Sequence, residues 1–399
     1  MSEIYVARQP VFGSKMKLYG YELLYSSGNL NCDASEDQAT AAVVADSYFL
    51  GFEELTDGTQ GFINFSQSLL LAGTALLLPS DKLIIEITDY TDITPLFIAS
   101  CRRMKQLGYT LALGDFTDKE DCRPLAALAD IIKVDYRRTP HDMQAQIIST
   151  HKHAVFAATN IETAEEFQHA CSLGYGLFQG DFFKKTTLVS GREIGTLGTS
   201  MLQITQRLTE PEPDLKAIAA IIEKDMDLSY KLLRLANSAY YRSTMAPITS
   251  IHQCLTQIGL LELQRWAHLL LIKGLTNPQN AELVKTSLVR GKIMSLLSDA
   301  VGHRQTDSAC FFTGLFSSVD TLLGEPMEKV LSRLPLADDV KQALMDTPGR
   351  LNTALQAVIA FEQADWNTAD LRLGELGLPK GTLAPLYMVA IKWQQALIV

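Results

Sequence analysis

The sequence predicts an α/β barrel followed by an all-helical half, and three observations carry this. From residue 1 to about 190, short apolar runs alternate with amphipathic ones roughly eight times. The stretch "SGREIGTLGTS", Ser190 to Ser200, then carries three glycines and reads as a connection. Beyond it the short runs stop, and apolar residues recur at helical spacing to the end of the 399 residues.

The strand-like runs are, in order, "IYVAR", "YGYELLY", "GFINF", "KLIIEIT", "YTLALGD", "DIIKVD", "AVFAAT" and "YGLFQG". Their Ile, Val, Leu and aromatic content suits strands buried on both faces. Between them lie helical patterns such as "TPLFIASCRRMKQLGY", where Leu96, Ala99, Arg103 and Leu107 are expected to form one partly apolar face that stops at Gly108. Strand followed by helix, repeated about eight times in under 200 residues, is the pattern of a slightly small (β/α)8 TIM-like barrel.

In the second half, Leu215, Ile218, Ala219 and Ile222 share a helical face, as do Leu228, Leu232 and Leu235 after a break. Ser250 with Gln253 three residues on predicts a capping box, ahead of a stripe of Ile251, Leu255 and Ile258. Trp266 sits in an apolar stripe and is expected in a core or on a partner face. No repeat of fixed period is visible.

The bulk numbers exclude several classes. The chain is 47% hydrophobic and 20% charged, as folded proteins are. A formal net charge of −10 opposes nonspecific nucleic-acid binding, which needs many Lys and Arg contacts to phosphate. The most apolar run, "SLLLAGTALLLP", is far shorter than the ~20 residues that span a bilayer. The start, "MSEIYVARQP", lacks the apolar stretch of a signal peptide. Six scattered cysteines (32, 101, 122, 171, 254 and 310) form no C-x-x-C and suit reduced thiols in a cytoplasm.

Barrel strands end in a mouth where chemistry is carried out. Here the strand ends bring Glu22, Asn64, Glu86, Asp115, Lys133, Asp135 and Gln179. Any one polar residue at a strand end is unremarkable. Their recurrence at successive ends points carboxylate, amide and ammonium groups at one small volume. Such oxygen donors suit Mg²⁺, Mn²⁺ or Ca²⁺, and a pair of ions could polarise a phosphate and activate a water.

The ordered set "ARQPVF…LYGYELL", "FINFS", "LIIEITD", "LALGDFTD", "DIIKVD", "NIET" and "LGYGLFQGDFF" resembles EAL domains, (β/α)8 barrels that hydrolyse the bacterial second messenger cyclic di-GMP. In the second half, "PDLKAIAAIIEKDMDLSYKLLRLANSAYY" followed by "ITSIHQCLTQIGLLELQRW" resembles the HDOD domain, a helical module related to metal-dependent HD phosphohydrolases but lacking their active site. The whole chain is similar to bacterial EAL–HDOD signalling proteins, the YuxH-like group. The resemblance divides it into a degenerate EAL domain at 1–195 and an HDOD domain at 196–399.

The resemblance implies a metal shell of Glu22, Asn64 and Glu86, all present. The next ligand would be the first acid of an Asp-Asp-Phe-Gly turn, but the chain reads Gly114-Asp115-Phe116-Thr117, so the bridging acid is a glycine and Asp115 matches the second Asp. Lys133 matches the lysine that would hold the attacking water, with Asp135 after it. Thr159 stands at the general-base position of an Ala-Glu-Gly-Val-Glu-Thr run, leaving Glu162. Asp89 replaces the longer acid that supports a catalytic loop, Ser26 replaces a phosphate-binding arginine, and Gln179 is retained. A general base contributes ~10²–10⁴-fold in rate. With base, bridging ligand and arginine all altered, hydrolysis should fall by many orders, even allowing for non-additivity.

An HD phosphohydrolase needs a His-Asp doublet on a helix. The doublet His141-Asp142 lies in the barrel half and reads as a helix start. Ser317 and Ser318 fall near the place where the superfamily would carry its doublet, Asp320 is isolated, and His252, His268 and His303 have no metal-ligand spacing. The pair His151 and His153 reads as an incidental surface feature rather than a chelate, and Tyr240 and Tyr241 of "LANSAYYR" as helix-end packing rather than a base-stacking patch.

The expectation is a non-catalytic cytoplasmic signalling protein, with no catalytic residue, no resident cofactor and no metal. Its partners are proteins, with a homodimer allowed, and neither nucleic acid nor membrane. The loss of Gly114's and Ser26's counterparts counts against tight cyclic di-GMP binding. The alternative is a residual cyclic di-GMP phosphodiesterase, or a silent receptor for that nucleotide, using Glu22, Asn64, Glu86 and Asp115 around one Mg²⁺ or Mn²⁺.

Overall fold

The computed structural model describes residues 4–27, 40, 44, 52–88, 93–185, 203–208, 210, 212–224, 226–236, 248, 250–260, 262–267, 280–301, 307–332, 334 and 336–398. The connection at 190–200, the junction at 195/196, Asp89, Tyr240, Tyr241, His268 and His303 lie outside these residues.

Eight strands close into a barrel in sequence order: β1 (Ile4–Gly13), β2 (Leu18–Ser27), β3 (Gln60–Asn64), β4 (Leu83–Ile87), β5 (Thr110–Leu113), β6 (Ile131–Asp135), β7 (Val155–Thr159) and β8 (Leu177–Gln179). From β2 to β8 each neighbouring pair is parallel. The first strand departs from the expected strand–helix alternation. β1 runs antiparallel to both β2 and β8. The reason is the length of its connection: residues 14–17 allow a hairpin turn, whereas a parallel crossover needs a dozen residues or more.

The barrel helices are α1 (Phe52–Leu55), α2 (Gln67–Leu71), α3 (Pro95–Gln106), α4 (Arg123–Ala126), α5 (His141–Thr150), α6 (Ala164–Leu173) and α7 (Phe182–Lys185). In α3 the expected face is the wrong one. Phe97, Ile98, Cys101 and Met104 are buried, while Leu96 and Leu107 are 67% and 47% exposed. Two stripes of helical spacing lie side by side here, and the helix seats the one carrying Phe97. Its end is as expected, with Gly108 in the left-handed region at φ +91°.

The second half is helical throughout its described residues: α8 (Leu215–Glu223), α9 (Met226–Ala236), α10 (Ile251–Ile258), α11 (Ala281–Val301), α12 (Asp307–Leu315), α13 (Val319–Leu323), α14 (Met327–Leu331), α15 (Asp338–Leu344), α16 (Arg350–Glu362), α17 (Trp366–Glu375) and α18 (Leu383–Ile398). Ile218, Ala219, Ile222, Leu228, Leu232 and Trp266 are buried as their spacing predicted. The capping box does not form. Ser250 is the N-cap of α10, but its hydroxyl accepts no cap bond, and the burial of Ile251, Leu255 and Ile258 is what seats this helix start. The long α11 packs on α12, α16 and α18, and both α16 and α18 reach β1 of the barrel.

Candidate functional site at the barrel mouth

The barrel interior explains which side chains meet. One layer consists of Val11, Phe62, Ile84, Ala112, Ile131, Ala157 and Leu177, all at most 4% exposed. Side chains alternate along a strand, so the next inward position is two residues on. Adding two gives Asn64, Glu86, Gly114, Lys133, Thr159 and Gln179. On the reversed β1 the same step runs backwards and gives Gln9. Glu22 joins this layer from the last rung of the β2–β3 ladder, opposite Phe62.

At its centre stands the Lys133 ammonium, 2.6 Å from Glu22 and 2.8 Å from Glu86. Gln179 donates its Nε2–H to Glu22 (2.7 Å) and to Gln9 Oε1 (3.0 Å). Burial opposes the charge on Glu22, but Lys133 and the Gln179 amide outweigh it and hold the carboxyl below its ordinary value. Glu86 goes the other way. Burial, then the neighbouring Glu22 charge, push it up to about 7 despite Lys133. Burial disfavours the Lys133 charge, yet the two acids more than compensate, and its pKa is raised. The lysine therefore stays an ammonium. It cannot serve as a base.

Gly114 is inward-facing and buried, and a Cβ there would meet Glu86 Oε1 at 2.4 Å. Asp115, one residue on, falls on the other side of the alternation. It is exposed at the mouth, in the left-handed region at φ +45°. Asp135 is spent on its own turn: Oδ1 accepts the backbone N–H groups of Arg137 and Arg138 at 2.9 Å, and Oδ2 accepts from Asn160 at 2.8 Å. Thr159 donates its hydroxyl to Val134 O at 3.3 Å. Glu162 stands at the rim, paired with Arg137 at 2.6 Å. Ser26 is on β2 opposite Tyr5.

The oxygen donors fit one hard cation better than two. Glu22, Asn64 and Glu86 could hold a Mg²⁺ or Mn²⁺, and Asn64 Oδ1 is buried without a donor. A bridging acid for a second ion has no side chain at Gly114. Among the described residues no three His, Cys, Asp or Glu groups cluster as a metal site.

The mouth opens into a cavity of about 380 Å³ whose far wall is the helical half, through Glu282, Thr286, Val289, Glu362, Gln363 and Tyr387. Sequence reasoning missed this wall and the contacts that hold it. Asp57, beyond α1, accepts from Arg8 (3.1 Å), from Lys285 (2.7 Å) and from Gln395 (2.7 Å), and so ties β1 to α11 and α18. Burial works against the Asp57 charge, but these partners outweigh it and hold the carboxyl well below the usual range. Tyr21, stacked under the Arg8 guanidinium at 4.3 Å, donates to Glu282 at 2.5 Å. In α16 Glu362 pairs with Arg290 at 2.7 Å, and Arg290 also donates to Ser317 (3.0 Å) and Ser318 (3.1 Å). An arginine–glutamate pair thus sits beside Ser317 and Ser318, near the place where HD phosphohydrolases carry a metal-binding doublet. No local spacing signals contacts between residues this far apart in sequence.

The histidine readings divide. His141 opens α5, as its reading as a helix start requires. His151 is buried rather than on the surface, against the Phe116 ring and 3.3 Å from Asp118, while His153 meets Ala126 O. Each ring has a partner of its own on the barrel, and the two rings meet edge to face with centroids 6.2 Å apart.

Comparisons with known proteins place these observations. A family model for the HDOD domain matches residues 194–331. The uncharacterized protein YuxH of Bacillus subtilis is 33% identical over 405 residues, covering 98% of this chain and 98% of its own. The cyclic di-GMP phosphodiesterase CdgJ of Vibrio cholerae is 30% identical over 405 residues, covering 99% of this chain and 93% of its own. Among solved structures, an EAL domain protein from Listeria monocytogenes is 19% identical, covers 45% of this chain and 87% of that one, and has a TM-score of 0.36.

Proposed function

The chain belongs to the EAL–HDOD family, and from that premise we propose that it is a non-catalytic protein of cyclic di-GMP-related signalling, in which the barrel and the helical half form one docking body. The single observation that carries the reading is the Lys133 ammonium bonded to both Glu22 and Glu86, with Glu86 leaning into the place that Gly114 leaves empty. Thr159 cannot take a proton near neutral pH, and Glu162 is engaged by Arg137. A Mg²⁺ or Mn²⁺ bound by Glu22, Asn64 and Glu86 would supply Lewis-acid polarisation of a phosphate. This chain would have no base beside it.

Partner proteins and a cytoplasmic setting are part of the same proposal. Four of the five described cysteines are buried, as suits thiols in a reducing compartment. Among the described residues no helix is long and apolar enough to cross a membrane.

A second reading, a residual phosphodiesterase, is favoured by the gathering of Glu22, Asn64, Glu86, Lys133 and Gln179 in one cavity and by the phosphodiesterase activity of the Vibrio relative. A steady-state assay of cyclic di-GMP turnover with Mg²⁺ and with Mn²⁺ separates the two. The proposal expects no turnover, and none in the double variant Gly114→Asp, Thr159→Glu. Turnover at ordinary enzyme rates that Glu22→Ala abolishes would overturn it.

A further inference from the structure

The side of α3 that turns away from the barrel carries the stripe Leu96, Ala99, Arg103 and Leu107, and it is left open. Leu96 is 67% exposed and Leu107 47%. Beside it runs α2, continued by the 3₁₀ turn Thr74–Leu77. Three bonds hold this segment along the helix. Gln67 Nε2 donates to Thr94 Oγ1 at 3.2 Å, Ser100 donates to Leu70 O at 3.3 Å, and Tyr109 donates to Leu78 O at 2.8 Å. Ser100 lies one turn on from Leu96, so the segment borders the open stripe rather than the buried one. It adds Leu71, Leu76 and Leu77, exposed by 42%, 44% and 57%. Five of the twelve exposed large apolar side chains among the described residues thus stand on two neighbouring elements. Single exposed leucines are ordinary, but a cluster marks a contact surface.

Charge says what covers it. Residues 66–80 and 94–109 contain no Asp or Glu, in a chain whose formal net charge is −10. Their charged residues are Arg102, Arg103 and Lys105. Lys105 is paired with Asp130 at 2.6 Å. Arg102 and Arg103 are exposed and have no acid partner among the described residues. A second copy of this chain, set on the same face across a two-fold axis, would bring arginine against arginine. An anionic lipid surface is read by clusters of about four to eight cations, and here two are free. We propose that this face docks an acidic amphipathic helix of a partner protein, with its apolar side on the exposed leucines and its Asp or Glu side chains on Arg102 and Arg103. From Leu96 to Leu107 is about three turns, roughly 16 Å, a length that seats anchors at i, i+4 and i+7 of such a helix. The proposal rests on the docking role given to the chain above and names its surface, on the outer ring of helices and away from the mouth.

Fluorescence anisotropy of the full chain against two labelled helical peptides, each about 18 residues long, tests it. Both carry leucine at the same i, i+4 and i+7 positions. One has Glu on its flanks and the other Lys. Saturable binding of the Glu peptide is expected with a Kd below about 100 μM, and binding of the Lys peptide roughly tenfold weaker or less. Leu96→Asn and Arg103→Glu should each weaken the Glu peptide by roughly tenfold. Leu371→Asn, at a leucine of α17 that is 65% exposed, should leave it unchanged. All three side chains are exposed, so loss of folding does not decide the result. No saturable binding up to about 1 mM overturns the proposal. So does equal binding of the Lys peptide, or equal weakening by Leu371→Asn. Two further measurements address the other occupants: sedimentation with phosphatidylglycerol–phosphatidylethanolamine vesicles, and sedimentation of the chain alone across concentration. Neither should show association. Association in either that Leu96→Asn abolishes overturns the proposal. Turnover of cyclic di-GMP, measured separately with metal, tests the non-catalytic reading without touching this result.

Discussion

The Glu86 carboxylate stands where residue 114 would put a side chain: a Cβ on Gly114 would lie 2.4 Å from Glu86 Oε1 and 2.8 Å from Thr88 Cγ2. The glycine and the leaning acid are two halves of one arrangement. Lys133 holds Glu86 there at 2.8 Å.

Gly114→Asp should therefore destabilise rather than repair. The new side chain overpacks a buried site and adds a third acid beside Glu22 and Glu86. A loss of about 1–3 kcal/mol is expected by urea unfolding. Unchanged or raised stability would mean that Glu86 moves away freely.

Removing the lysine and removing one acid should differ sharply. Lys133→Met leaves two buried carboxylates without their cation and should cost about 3–5 kcal/mol. Glu86→Gln keeps the shape, leaves one acid on one ammonium, and should change stability at pH 8 by no more than about 1 kcal/mol. Equal losses in the two variants would contradict the shared-lysine arrangement.

The pH dependence has a sign that isolates Glu86. Its folded value of about 7 lies above the ordinary 4.5. Between these values the folded protein holds a proton that the unfolded chain has released. Stability from this group is thus full below pH 4.5, falls as pH rises to about 7, and stays lower above. The difference in unfolding free energy between wild type and Glu86→Gln, followed from pH 4.5 to 8, should show this fall. Parallel curves would remove the raised value. Asp57, held low, gives the opposite slope only at more acid pH and cancels in the comparison.

Asp57→Ala should loosen the two halves from each other. It strips Arg8, Lys285 and Gln395 of their common acceptor and leaves the Arg8 side chain, 6% exposed, without its carboxylate and with the Leu55 carbonyl as acceptor. A loss of about 3 kcal/mol is expected, with faster hydrogen exchange in α11 and α18. Exchange unchanged in those helices would show that the network holds nothing together.

Much of this was legible in local pattern. The strand runs, the helical half and the polar residues at strand ends all follow from periods of 2 and 3.6, and Asn64, Glu86, Lys133 and Gln179 do converge as those ends implied. The period also holds the clue to Gln9, which was missed because a reversed β1 inverts the counting. The α3 face was misread because Leu96 and Phe97 head adjacent stripes, and only packing on the barrel chooses between them. Asp115 does reach the mouth, but from beyond the end of its strand and at φ +45°, while Gly114 takes the inward position. Lys285 and Gln395 meet Asp57, and Glu282 meets Tyr21, across 228 to 338 residues of chain where they bridge the halves, and no spacing rule reaches that far.

The count of divalent ions at the barrel mouth tests the central claim most directly. A crystal of the full chain soaked with Mn²⁺ and cyclic di-GMP, with anomalous scattering recorded at the manganese edge, gives that count. The account predicts at most one Mn²⁺, beside Glu22, Asn64 and Glu86, with Gly114 contributing nothing. Two ordered Mn²⁺ ions bridged over an intact or cleaved phosphodiester would contradict it.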